Sequence, residues 1–108
     1  MKLALTFDSE TGNVFPTFEN TRVIKLYEVE DGEIIHSELV GTMAETVEDI
    51  ISLILLLEAD GVICGDISAE TREQLDDEGI LYYSGFSGDA DEAVHDFVEG
   101  YVILGPDD

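Results

Sequence analysis

Two β-rich runs, residues 22–29 and 33–40, face each other across Glu30-Asp31-Gly32, and that junction constrains the fold more than any other segment. Asp-Gly supplies the positive φ values that a tight hairpin demands. The two runs are therefore predicted to be antiparallel neighbours, and any sheet that contains them is not purely parallel.

The rest of the chain has to be built around this hairpin. Residues 2–7 read as a first strand that ends in the polar turn Asp8-Ser9-Glu10-Thr11-Gly12-Asn13. Residues 14–20 hold Phe15, Pro16 and Phe18 without a clear period, which predicts an ordered loop whose two aromatics anchor it on the core. Thr46 is placed to cap a helix, with Glu48 and Asp49 at the positive end of its dipole. Val47, Ile50, Ile51, Ile54 and Leu55 form one apolar stripe at three- and four-residue spacing, and Leu53, Leu56 and Leu57 carry the apolar surface further round. A helix that is apolar over so much of its circumference is either deeply buried or packed on a second chain.

Residues 61–64 are all apolar apart from their leading glycine and are followed by Gly65, as expected of a parallel strand covered on both faces. Ser68 can cap a second helix that runs to about Asp77, with Leu75 inward and Gly79 at its end. Residues 80–83 read as the last strand. Asp89 and Glu92 fit a capping box for a third helix that carries Ala93, Val94, Phe97, Val98 and Tyr101 on one face. Pro106-Asp107-Asp108 reads as a frayed tail. Strands alternating with helices in the second half imply right-handed crossovers and a parallel region. The expectation is one α/β domain over residues 1–108, with no internal repeat and no linker.

Charge narrows the partners. The chain has 4 Lys+Arg against 26 Asp+Glu, a net charge of −22, yet is 44% hydrophobic, so the acids lie on a globular chain and not on a disordered one. Lys2, Arg22, Lys25 and Arg72 are too few to follow a phosphate backbone, and an anionic leaflet repels the chain for the same reason. Nucleic acid and membrane are therefore not expected as partners. The acidity reads either as a solubilising, self-repelling surface or as the complement of a basic partner or a cloud of cations. The apolar run of the N-terminus is too short for a secretory signal and the longest apolar stretch is too short to span a membrane, which places the expected location in the cytoplasm. Cys64, the sole cysteine, allows no disulfide framework, and its apolar setting suggests a small buried hydrophobe.

Four segments in order carry a family resemblance: Lys2-Leu3-Ala4-Leu5-Thr6-Phe7, Tyr27-Glu28-Val29-Glu30-Asp31-Gly32-Glu33-Ile34, Gly61-Val62-Ile63-Cys64-Gly65 and Leu75-Asp76-Asp77-Glu78-Gly79-Ile80-Leu81-Tyr82-Tyr83. Over about residues 2–102 the chain resembles the dinitrogenase iron–molybdenum cofactor biosynthesis family. The resemblance implies a ribonuclease H-like three-layer α/β fold with a five-stranded mixed sheet in order 3-2-1-4-5, strand 2 antiparallel to the others, and three helices. It also implies a non-catalytic carrier or accessory domain, with an iron–molybdenum-type or iron–sulfur cluster as the cofactor.

The same resemblance points to a candidate cofactor surface formed by Thr17, Phe18, Glu19, Gly65, Asp66 and Ser68. Where the family commonly has His-Phe-Gly after strand 1, this chain has Thr17-Phe18-Glu19. Of the glycine-rich turn after strand 4 only Gly65 remains, in Gly65-Asp66-Ile67-Ser68-Ala69. A glycine-rich approach to a helix N-terminus offers bare N–H groups to an anion, and Asp66 is expected to occupy those donors itself. His36 and His95 are predicted to be surface or partly buried residues. Two other function classes follow from the residues. One is an interaction module, as a homodimer or docked on a protein partner, through the apolar helix over residues 47–57. The other is a divalent-metal nuclease using Asp8, Glu48 and Asp66, a reading that the net charge opposes.

Overall fold

The computed structural model describes residues 1–104, with side chains described over residues 1–100. The predicted hairpin is present: β2 (Val23–Glu30) and β3 (Glu33–Gly41) are antiparallel, joined by Asp31 at φ 53° and Gly32 at φ 80°. Positive φ at both central residues is the primed turn whose twist matches the flanking strands.

Strand β1 (Lys2–Phe7) pairs antiparallel with β2 on one side and parallel with β4 (Gly61–Ile63) on the other, and β4 pairs parallel with β5 (Tyr82–Tyr83). The order is β3-β2-β1-β4-β5, with β2 alone running against the rest. The five-stranded mixed sheet expected from the sequence is thus the one observed.

Period-two alternation divides the core between the two faces of this sheet. Ala4, Ile24, Leu26 and Val62 pack with Phe18, with Ile50, Ile51 and Ile54 of α1 (Val47–Leu56) and with Leu75 of α2 (Ala69–Asp77). Leu3, Leu5, Tyr27, Val29 and Ile63 pack on the other face with Ala90, Ala93, Val94 and Val98 of α3 (Ala90–Leu104). Each fully buried Leu, Ile or Val contributes about 1.5–3 kcal/mol. Tyr101 and the tail at 106–108 lie outside the residues whose side chains are described.

The helix ends follow the sequence closely. Thr46 Oγ1 accepts from the Asp49 N–H at 3.3 Å, while Asp49 Oδ2 accepts from the Glu45 and Thr46 N–H groups at 3.0 and 3.2 Å. Those two backbone donors hold the Asp49 carboxyl below the usual carboxylate range. Ser68 accepts from the Thr71 N–H at 3.1 Å, and Asp89 from the Glu92 N–H at 3.0 Å.

Several strand ends shift by a single residue, and the last strand differs more. The last strand covers only Tyr82–Tyr83, not residues 80–83. The Ile80 N–H is committed to the Leu75 carbonyl at 3.0 Å and the Gly79 N–H to Asp76 at 3.0 Å, with Gly79 at φ +71°. These are the paired bonds of a helix terminus that reverses at glycine. Ile80 therefore closes α2 and fills the core beside Leu75.

Candidate functional site

Strands β1 and β4 are parallel neighbours, so the loop after Phe7 and the turn after Ile63 emerge at the same edge of the sheet. Open α/β sheets place ligands at such carboxyl ends. Here the two segments are joined directly. The Phe18 N–H donates to the Asp66 carbonyl at 3.0 Å, and the Asp66 N–H donates to the Pro16 carbonyl at 2.7 Å, which makes Thr17 and Asp66 partners in a short parallel bridge. Gly65 permits this approach: a Cβ there would stand 2.4 Å from the Pro16 carbonyl oxygen, closer than real contacts allow. The surviving glycine is thus needed for the seam between the two loops.

The turn leads into α2, whose N-terminal N–H groups are the expected anion donors. One of them, the Ser68 N–H, is taken by a residue from the other loop. Glu19 Oε2 accepts from the Ser68 N–H at 3.0 Å, 49 positions away in sequence. Partial burial pushes the Glu19 carboxyl up, but the hydrogen bonds from the Ser68 backbone and the Thr71 and Ser68 side chains outweigh it, and the net shift is downward. Asp66, the acid that the sequence points to for this role, does not fill it. Its side chain is exposed, and its backbone serves the loop seam instead. Both helix N-termini at this edge therefore carry a carboxylate of the chain itself, Asp49 on α1 and Glu19 on α2.

All six sequence-predicted positions converge, but they divide by role. Phe18 is fully buried among Ile50, Ile54 and Cys64, so it anchors the loop and offers no surface. Thr17 accepts from the Asn20 side chain at 3.0 Å. Around them lie two polar hollows. One of about 330 Å³ is lined by Phe15, Glu19, Arg22 and Glu45 among others, and one of about 280 Å³ by Phe7, Asp8, Glu10, Phe15 and Arg22. Arg22 is the cation in each and faces two acids in each, so both present negative charge to an incoming ligand.

The comparisons with known proteins agree with the architecture. The family model for the dinitrogenase iron-molybdenum cofactor matches residues 1–100. The chain belongs to that family. Among solved structures, PH0822 superposes with a TM-score of 0.83 at 21% identity, covering 93% of this chain and 92% of its own. A candidate dinitrogenase from Methanocaldococcus jannaschii gives 0.75 at 23% identity, covering 93% and 89%. A candidate NifB protein of the DUF35 family from Thermotoga gives 0.68 at 19%, covering 92% and 88%. At these identities the structures speak to fold alone. No curated protein matches the sequence.

The residues of this member do not fit the cluster that the dinitrogenase iron-molybdenum cofactor family implies. Clusters of that kind take thiolate or imidazole ligands. Cys64 is fully buried, and burial, with Glu19 nearby, pushes its thiol up to about 11. His36 stands exposed on β3, and His95 on α3 lies 3.1 Å from Glu99. Among the described residues no group of three or more His, Cys, Asp or Glu side chains could hold a metal ion. Asp8, Glu48 and Asp66 form no such group either. Asp8 accepts from the Glu10 N–H at 3.0 Å and Glu48 from Gln74 at 3.1 Å.

Of the apolar helix, Ile50, Ile51 and Ile54 are buried, while Val47, Leu53 and Leu57 pack on the core while partly exposed. Leu55 and Leu56 remain outside, Leu56 at 78% exposure; Met43, before the helix start, is 95% exposed. No helix among the described residues is long and apolar enough to cross a membrane.

Proposed function

We propose that this chain is a non-catalytic accessory domain of the dinitrogenase iron-molybdenum cofactor family, one that keeps the scaffold and closes the cofactor edge with its own side chains. The observation that carries this reading is the Glu19 carboxylate on the Ser68 N–H at 3.0 Å. In the position where the family commonly has glycine, an acid takes one of the N-terminal donors that an anionic cluster would use and sets its negative charge there. The acidic hollows on either side of Arg22 add repulsion.

Anaerobic reconstitution with iron, sulfide and molybdate, followed by metal analysis and visible absorption, tests it. The protein is expected to emerge colourless and without stoichiometric metal. A cluster absorption band with stoichiometric iron or molybdenum would refute it and restore a carrier role. A labelled RNA–DNA hybrid is expected to stay uncut in Mg²⁺ or Mn²⁺; cleavage would show an enzyme.

The exposed Leu55 and Leu56 favour a second reading, protein docking or homodimer formation at the apolar helix. Light scattering across salt concentrations tests the homodimer, and a strict monomer at every concentration would remove it.

A further inference from the structure

The two edges of the sheet are built differently. β5 is two residues long, a length that gives another strand little to pair with, whereas β3 runs for nine residues with only Val40 less than exposed. β3 pairs with β2 on one side, and in the order β3-β2-β1-β4-β5 no strand among the described residues lies on its other side. It contains neither proline nor lysine, two residues that commonly block such edges.

Among its polar Glu33, His36, Ser37 and Glu38 the edge also exposes apolar side chains. Ile34, Ile35 and Leu39 are 38%, 53% and 56% exposed. Val29 pairs with Ile34 and Glu28 with His36, so Ile35 is an extra, bulged residue. Cross-strand partners share a face, which puts Ile34, Ser37 and Leu39, opposite Val29, Tyr27 and Lys25, on the α3 side. There Ile34 and the α3 residues Asp91, Glu92, His95 and Asp96 line a groove of about 600 Å³. Of the acids lining it, Asp91 holds Lys25 at 2.9 Å.

We propose that β3 is a docking edge for an extended, basic segment of a partner protein with apolar side chains at alternate positions, added as a sixth strand. Backbone pairing along residues 36–41, beyond the bulge, supplies affinity, and alternate side chains supply specificity. Ile34 and Leu39 receive the apolar positions on the α3 side, and Glu33, Glu38, Glu92 and Asp96 complement the basic ones. A second copy of this chain does not suit the edge. It brings the same acids and a net charge of −22, and acidic side chains with a bulge are devices that keep like edges apart. Neither opposes a basic strand.

The test is an NMR titration of the ¹⁵N-labelled full chain with a peptide alternating lysine and valine over ~7 residues, about one strand length. A control peptide of the same sequence is N-methylated at alternate residues, which keeps charge and side chains but removes backbone donors. Saturable shifts and slowed hydrogen exchange are expected at the amides of residues 36–41, with affinity for the control weaker by about tenfold or more. The variant Leu39→Lys, whose folding is checked from its spectrum, is expected to lose about as much. Shifts scattered over the acidic surface with equal affinity for both peptides would mean polyelectrolyte attraction only and overturn the proposal. Concentration-dependent shifts of β3 without peptide, with a dimer in light scattering, would replace it with self-association. Absence of binding at low salt would end it.

Discussion

Gly65 and Glu19 act on the same loop seam through opposite properties, one by having no side chain and one by having a charged one. A Cβ on Gly65 would meet the Pro16 carbonyl at 2.4 Å, and the backbone on both sides is hydrogen-bonded in place. Gly65→Ala is therefore expected to cost about 2 kcal/mol, the range for forced overpacking, measured by urea unfolding. Loss below a few tenths would mean that the loop yields freely. Glu19→Gln tests the cap on α2. Removing a charged side chain that accepts from an N-terminal N–H is expected to cost about 1 kcal/mol near neutral pH. The Glu19 carboxyl titrates below its ordinary 4.5 in the folded chain, so its stabilisation is present above that value and lost as pH falls through the folded pKa. The gap between parent and variant should close as pH drops below 4.5. A gap constant down to acid would show that charge is not what Glu19 contributes.

At the scale of elements, α1 depends on its first turn and on a face that is more than covered. Its capping box ties Thr46 and Asp49 together through three hydrogen bonds to backbone, including that from Glu45. Thr46→Ala is expected to lower stability by about 1 kcal/mol. A matching loss of protection in the amides of residues 47–50, read by hydrogen exchange, would place the effect in the helix start and not in general unfolding. The Asp91 site joins elements across the second layer. Tyr27 donates to Asp91 at 2.6 Å, and Lys25 lies 2.9 Å from the same oxygen, so α3 is pinned to β2. The Tyr27 bond, then Lys25, holds the Asp91 carboxyl below its usual range, while burial and that same acceptor push the Tyr27 phenol up.

Across the whole molecule, charge outweighs every local feature. With 26 acids and 4 bases on a chain of 108 residues, the folded state repels itself at neutral pH. Salt shortens the range of that repulsion from ~30 Å at 0.01 M to ~3 Å at 1 M. Raising NaCl across that range is expected to raise the Tm by several degrees, read by circular dichroism. A flat or falling Tm would show that the acids are already compensated, by bound cations or by a partner.

Much of this was legible in local sequence. Asp31-Gly32, the caps at Thr46, Ser68 and Asp89, the apolar runs and the reversal at Gly79 all act within a few residues, and each is where pattern and backbone chemistry predict it. The net charge also belongs to composition. Contacts between distant segments were not legible. Nothing near Glu19 announces that its carboxylate lies on Ser68, because that bond exists only once β1 and β4 lie side by side. The same holds for the choice of Glu19 over Asp66 as the cap and for the bulge at Ile35 that turns Ile34 and Leu39 to one face. The sequence alone determined the elements and the sign of the surface. Only the tertiary structure decided which acid closes the site and which strand is left open, because both depend on the sheet order and register that bring remote residues within hydrogen-bonding distance.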